Sequence, residues 1–274
     1  PILGLFEHEM TAIDRAVMIC TSHRDADEEN ACIRRFRAAG VGAMVVTPAI
    51  SGGRSFELEK WIREGHPVVL RGNPAQWLFS RDLAEQCDRV DISNSQAVNL
   101  AINYLISIGH RRIAFISSIP VEVSEQAQAF KQLVDQGQCE CPQELFITDL
   151  ARPTQDTGHV AWQRLFAADS WPTAVYCTNS RIAVGLKQAA EEAGVQCPHN
   201  FSIMTFAYRF HTSEGHARGV TAVEHDDSKY AKVVADLLKS QLDPEQKRAP
   251  RHEKLSVTLR IRNTVARPPV SFLR

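Results

Sequence analysis

The sequence predicts a parallel α/β protein built as two doubly wound parallel-sheet units. Three observations carry that reading. Short apolar runs without alternation recur along the chain, segments of helical period separate them, and the rhythm persists over 274 residues. Short runs rich in Val and Ile suit strands covered on both faces. About ten such strand–helix units exceed one comfortable sheet, so two successive sheets fit the length better.

Taken in order, Ile2–Phe6 reads as a first strand. Leu3, Phe6, Met10 and Ile13 also share a helical spacing, so residues 2–13 stay open between strand and helix. Ala16–Cys20 is the next apolar run. Asp25–Ala39 predicts a helix with Glu28, Glu29, Arg34, Arg35 and Arg37 toward solvent, Cys32, Ile33 and Phe36 inward, and Gly40 as its stop. Ala43–Val46, Val68–Leu70, Ile113–Ile116, Ala174–Cys177 and Ser202–Phe206 read as further strands. Ser95–Ile108, Ile182–Ala193 and Tyr230–Leu242 read as helices, the first two ending at Gly109 and Gly194. Residues 243–254 suggest an exposed loop. Leu255–Ile261 alternates apolar and polar residues and suggests a half-buried closing strand.

Composition narrows the function classes. Thirty-one Lys and Arg stand against 32 Asp and Glu, for a net charge of −1, and 44% of residues are hydrophobic. These values exclude a mainly disordered chain. No apolar run approaches the roughly 20 residues of a membrane-spanning helix. So little net charge gives little counterion release on phosphate binding, so residues 1–274 are not expected to bind duplex DNA by themselves. The seven cysteines are odd in number and scattered, which reads as reduced core thiols in the cytoplasm. Cys139-Glu140-Cys141 has the look of a metal clip but no second Cys or His pair stands nearby, so no metal is expected. The chain opens at Pro1 without Met, as a piece of a longer protein would, and shows no basic head or long apolar stretch of a secretion signal. No glycine-rich phosphate loop, zinc spacing or nucleophile–base pair is visible, so neither an enzyme nor a cofactor is expected.

Several blocks then point to one family. Tyr104-Leu105-Ile106-Ser107-Ile108-Gly109-His110 leads into Arg111-Arg112-Ile113-Ala114-Phe115-Ile116. Trp171-Pro172-Thr173-Ala174-Val175-Tyr176-Cys177-Thr178-Asn179-Ser180 precedes Ile182-Ala183-Val184-Gly185-Leu186. Gly194-Val195-Gln196-Cys197-Pro198, Phe201-Ser202-Ile203, Thr221-Ala222-Val223 and Leu259-Arg260-Ile261-Arg262-Asn263-Thr264 follow. In this order they resemble the effector-binding core of LacI/GalR-type transcriptional regulators, a fold like that of periplasmic sugar receptors. The resemblance implies two lobes joined by a multi-strand hinge, with a ligand cleft between them. From it the first lobe is expected at 1–117 plus 227–250 and the second at 118–226 plus 251–274. The family's DNA-binding head has no counterpart in these residues.

The same resemblance implies a set of cleft residues. Gln126 falls where the family opens a helix with Arg, and Asn179 matches a cleft Asn. Ser180 and Ala207 stand where Asp is usual, Ala207 being followed by Tyr208. His225 matches a polar position after the strand at Thr221–Val223. Gln96 falls where some members carry Asp, Arg71 follows a strand, and an aromatic wall position falls near Pro153. Asn179 is equally suited to cap the helix that follows it, and His110 to a structural turn. Loss of the acidic and basic groups at Ala207 and Gln126 implies a neutral sugar or polyol rather than a sugar phosphate or purine. The expected function is the effector-binding and homodimerising core of a cytoplasmic bacterial regulator, reaching operator DNA through a domain outside this chain. The alternative is a periplasmic solute-binding receptor of a sugar transporter.

Overall fold

A computed structural model describes residues 2–72, 77–243 and 249–269. The chain divides into two compact units: 1–92 with 227–255, and 93–226 with 256–274. It passes from one to the other after Ile92, Asp226 and Leu255.

In the first unit, α1 (Ile2–Thr11) precedes α2 (Ala26–Ala38), β1 (Met44–Val46), α3 (Phe56–Arg63), β2 (Val68–Arg71), α4 (Arg81–Ala84) and β3 (Asp88–Ile92). The chain returns with α10 (Asp227–Leu242) and β9 (His252–Leu255). The sheet order is β1-β2-β3-β9 and all three pairings are parallel. Helices cover both faces: Ile33, Leu58 and Trp61 pack with Leu70 on one side, and Met10, Tyr230, Val234 and Leu238 pack with Val69 and Val90 on the other.

The second unit holds α5 (Asn94–Ser107), β4 (Ile113–Ile116), α6 (Glu125–Asp135), β5 (Phe146–Ile147), α7 (Gln155–Ala167), β6 (Ala174–Cys177), α8 (Ser180–Glu192), β7 (Ser202–Tyr208), α9 (Arg209–Ser213), β8 (Thr221–His225) and β10 (Thr258–Arg260). Its sheet order is β10-β8-β7-β6-β4-β5, parallel except for β10, which runs antiparallel to β8. Central strands β4 and β6 are buried at every residue, as their unbroken apolar runs predict. Helices α7 and α8 touch so closely that a Cβ at Gly185 would collide with the backbone of Gln155. His110 is fully buried, its Nε2 2.9 Å from the Ala266 carbonyl and its Nδ1 2.9 Å from Thr173 Oγ1.

The structure corrects the sequence reading at six places. Ile2–Phe6 is not a strand but the start of α1, which packs on α10 through Met10 and Phe6. Ala16–Cys20 joins no sheet, and Met18 and Ile19 are more than half exposed. Glu29 does not face solvent; its buried carboxylate accepts the Ala49 N–H at 2.8 Å. Cys20 and Cys32 are joined in a disulfide, because the extended residues after α1 run beside α2 and bring the two Cα atoms within 5.9 Å. The first unit ends at 92 rather than 117, because β4 lies inside the second sheet between β5 and β6. Finally, the segment expected as a loop to residue 254 gives way to β9 at His252, and Leu255–Ile261 is not one strand but divides between the two sheets. Residues 244–248 lie outside the described residues, β9 begins at His252 in the first sheet, and β10 belongs to the second.

Candidate functional site

Five of the six expected site residues, Gln96, Gln126, Asn179, Tyr208 and His225, belong to the second unit, and Arg71 belongs to the first. In a parallel sheet the strands' carboxyl ends and the helix N-termini that follow them share one edge, which is where α/β proteins place ligands. Three of the five gather there.

Asn179 follows β6 and caps α8: its Oδ1 accepts the Arg181 N–H at 2.9 Å. Its Nδ2 keeps two donors that no described residue accepts. Tyr208 closes β7 and His225 closes β8, and the parallel register sets them side by side. Their rings meet edge-on at 4.3 Å between centroids. Tyr208 also meets His211 at 5.1 Å. Tyr208 is half-buried and His225 buried, so the phenol stands over the imidazole at the strand ends.

Gln126 sits elsewhere in role. It lies in the first turn of α6 and is buried. Its Nε2 donates to Asn94 Oδ1 at 3.0 Å, and its Oε1 accepts the Tyr176 hydroxyl at 2.9 Å. Both polar atoms of its amide are therefore engaged within the protein. Gln96 is exposed on the first turn of α5, and Pro153 is also exposed. Arg71 ends β2 with its guanidinium 5.0 Å from the Tyr230 ring, a cation–π contact within the first unit.

Sequence reasoning missed a cluster beside Asn179. The buried Ser180 hydroxyl lies 3.1 Å from His216 Nε2 and 3.4 Å from His211 Nδ1, and the two imidazoles are 4.6 Å apart. Burial first, then the neighbouring His216 and the positive Arg181, pull the His211 pKa down to about 4, so it is neutral near pH 7. Thirty-one and 36 positions separate Ser180 from these histidines, so no local spacing announced them. A hydroxyl beside an imidazole is the start of a nucleophile–base pair, but among the described residues no carboxylate bonds to either ring to orient it. Beside the charged Arg181 and the Arg209–Asp226 ion pair, the edge thus offers uncharged groups: an amide, a phenol, a hydroxyl and the His211 imidazole.

The family of the periplasmic binding protein-like domain matches residues 102–265. The HTH-type transcriptional repressor PurR of Mannheimia succiniciproducens is 26% identical over 141 residues, 51% of this chain and 41% of that protein. The chain spans about half the length of the curated relatives it matches. Among solved structures, a LacI family transcriptional regulator from Enterococcus faecium with bound ribose superimposes with a TM-score of 0.76 at 22% identity, over 97% of this chain and 93% of that one. One from Lactobacillus casei with bound sucrose gives 0.74 at 19% identity, over 96% and 94%. The ordered sequence blocks, the two doubly wound units and the family match converge: the chain belongs to the periplasmic binding protein-like domain family.

Proposed function

We propose that this chain binds a neutral sugar or polyol as the effector of a bacterial transcriptional regulator, working as a cytoplasmic homodimer. Ligand binding shifts the population of conformers and so changes the operator affinity of the full-length protein, whose DNA contact lies in a domain outside this chain. The observation that carries this reading is the cluster of uncharged polar groups at the strand-end edge of the second unit, above all the Asn179 amide, whose Nδ2 is turned to no described acceptor. Sugar hydroxyls donate and accept alike and suit such groups. Regulators of the same fold hold ribose and sucrose. No catalytic role is proposed for any residue.

One observation favours the alternative, a solute receptor in an oxidising compartment: the Cys20–Cys32 disulfide. Five further cysteines remain free thiols, and the curated relatives are regulators, which favours the first reading.

Thermal-shift and calorimetric screening of neutral mono- and disaccharides, sugar phosphates and purines tests the proposal. A neutral sugar should bind, raising stability by about 2.7 kcal/mol at 100 times its Kd. Asn179→Ala should then weaken binding roughly 5- to 150-fold. Selective binding of a purine or sugar phosphate would overturn the neutral-ligand reading.

A further inference from the structure

The Cys20–Cys32 disulfide spans the loop that leads into α2. We propose that this bond is a reversible redox switch: it forms by exchange with a low-molecular-weight disulfide and fixes the loop Thr21–Asp25 against the residues that follow β1.

Reactivity supplies the first argument. Burial pushes the Cys87, Cys141 and Cys197 thiols up to about 12 and Cys139 to about 11, and it raises Cys177 as well. These five stay protonated and poorly nucleophilic. Cys20 is only half-buried, and the Arg35 guanidinium lies 4.0 Å from its Sγ, a positive charge that favours the attacking thiolate. The two Cα atoms stand 5.9 Å apart, an ordinary disulfide separation. The reduced form is also accommodated, because the Thr21 carbonyl lies 3.8 Å from Cys32 Sγ and accepts the thiol proton.

The loop supplies the second. His23 and Arg24 hold φ of 48° and 64°, left-handed values that such residues keep only where their surroundings impose them. The Arg24 carbonyl accepts the Ile50 N–H at 2.9 Å, and Ala26 donates its N–H to the Ser51 carbonyl at 2.9 Å. Asp25 then caps α2 by accepting the Asp27 and Glu28 N–H groups. A bond from residue 20 to residue 32 encloses this whole stretch and restricts its freedom. Reduction releases that restraint, while α2 and β1 keep their own packing through Ile33 and Met44.

The Cys20 thiolate attacks one sulfur of the oxidant, forming a mixed disulfide and expelling a thiolate. Cys32 gives up its proton and attacks the Cys20 sulfur, closing the protein bond and expelling the second thiolate. Two cysteines are oxidised and one small disulfide is reduced to two thiols. In a reducing cytoplasm, the compartment proposed above and the one on which this inference rests, such a bond is regulatory rather than permanent.

The test equilibrates the whole chain in glutathione buffers from fully reducing to fully oxidising, then alkylates and maps the thiols by mass spectrometry. Cys20 and Cys32 should become protected together within that range, with the other five thiols free throughout. Cys32→Ala should stall as a Cys20–glutathione adduct, whereas Cys20→Ala should form far less adduct because Cys32 is buried. Reduction should speed hydrogen exchange at the Ala26 and Ile50 amides about tenfold, the scale of one lost hydrogen bond, and leave Val69 and Val90 unchanged. A bond that survives the most reducing buffer would be a permanent staple and would overturn the proposal. So would a bond that never forms in the most oxidising buffer, or exchange at Ala26 and Ile50 that ignores the redox state. No effector enters these measurements, so they and the sugar screen can fail separately.

Discussion

The Tyr176 hydroxyl donates to Gln126 Oε1 at 2.9 Å, deep inside the second unit. The same amide donates onward to Asn94 at 3.0 Å. One glutamine thus ties a central strand, β6, to the opening turns of α5 and α6. From sequence alone, a glutamine in a first helical turn is readily exchanged for alanine. The tertiary contact reverses that expectation, since loss of the amide strands a buried phenol.

Gln126→Ala is therefore expected to lower stability by about 1–3 kcal/mol, the cost of an unsatisfied buried hydroxyl. Tyr176→Phe should lower it too, but the double variant should lose less than the sum, because both partners leave together. Urea unfolding of the four proteins measures the coupling. Strict additivity would show that the bond contributes nothing.

Burial holds the His110 pKa below its ordinary value despite the Ala266 carbonyl at its Nε2. The unfolded chain therefore takes up the proton first as pH falls. His110's contribution is complete above about pH 6.5, the ordinary imidazole value, and is lost as pH falls through the folded pKa. Melting temperature recorded from pH 7.5 to 5 should fall, and His110→Gln should flatten the slope. An unchanged slope in the variant would assign the acid sensitivity to other groups.

Gly185 and Gly4 make a matched pair, both helical. A methyl group at Gly185 meets the Gln155 backbone, while one at Gly4 meets nothing within 4 Å. Gly185→Ala should destabilise by about 1–3 kcal/mol or more through overpacking. Gly4→Ala should stabilise by roughly 0.5–1 kcal/mol through helix propensity. Thermal melts that move both variants the same way would contradict the close α7–α8 approach.

Glu224 is buried, with Arg262 Nη1 at 2.5 Å and the Thr212 hydroxyl as partners. Arg262→Ala leaves that carboxylate without its charge partner and should cost about 3–5 kcal/mol. Adding Glu224→Gln should restore part of the loss, since a neutral amide needs no counter-charge. Chemical denaturation decides it, and no recovery in the double variant would place the defect elsewhere.

What the sequence determined by itself is the alternation of Val- and Ile-rich runs with helical segments, hence a doubly wound fold. The runs at Ile113–Ile116 and Ala174–Cys177 were legible because a strand covered on both faces must be apolar throughout. Asn179 was legible as a cap because capping is local chemistry. Residues 2–13 were not settled, since apolar residues at positions 3, 6, 10 and 13 satisfy a helix while Ile2–Phe6 alone satisfies a strand. Packing against α10 selected the helix. Ala16–Cys20 reads as a strand because composition reports burial preference, whereas strand formation needs a partner edge. The Cys20–Cys32 disulfide, the Tyr176–Gln126 bond and the pairing of Ser180 with His216 join residues 12, 50 and 36 positions apart. Only the tertiary structure decided these, because no local periodicity encodes which distant side chains a fold sets face to face.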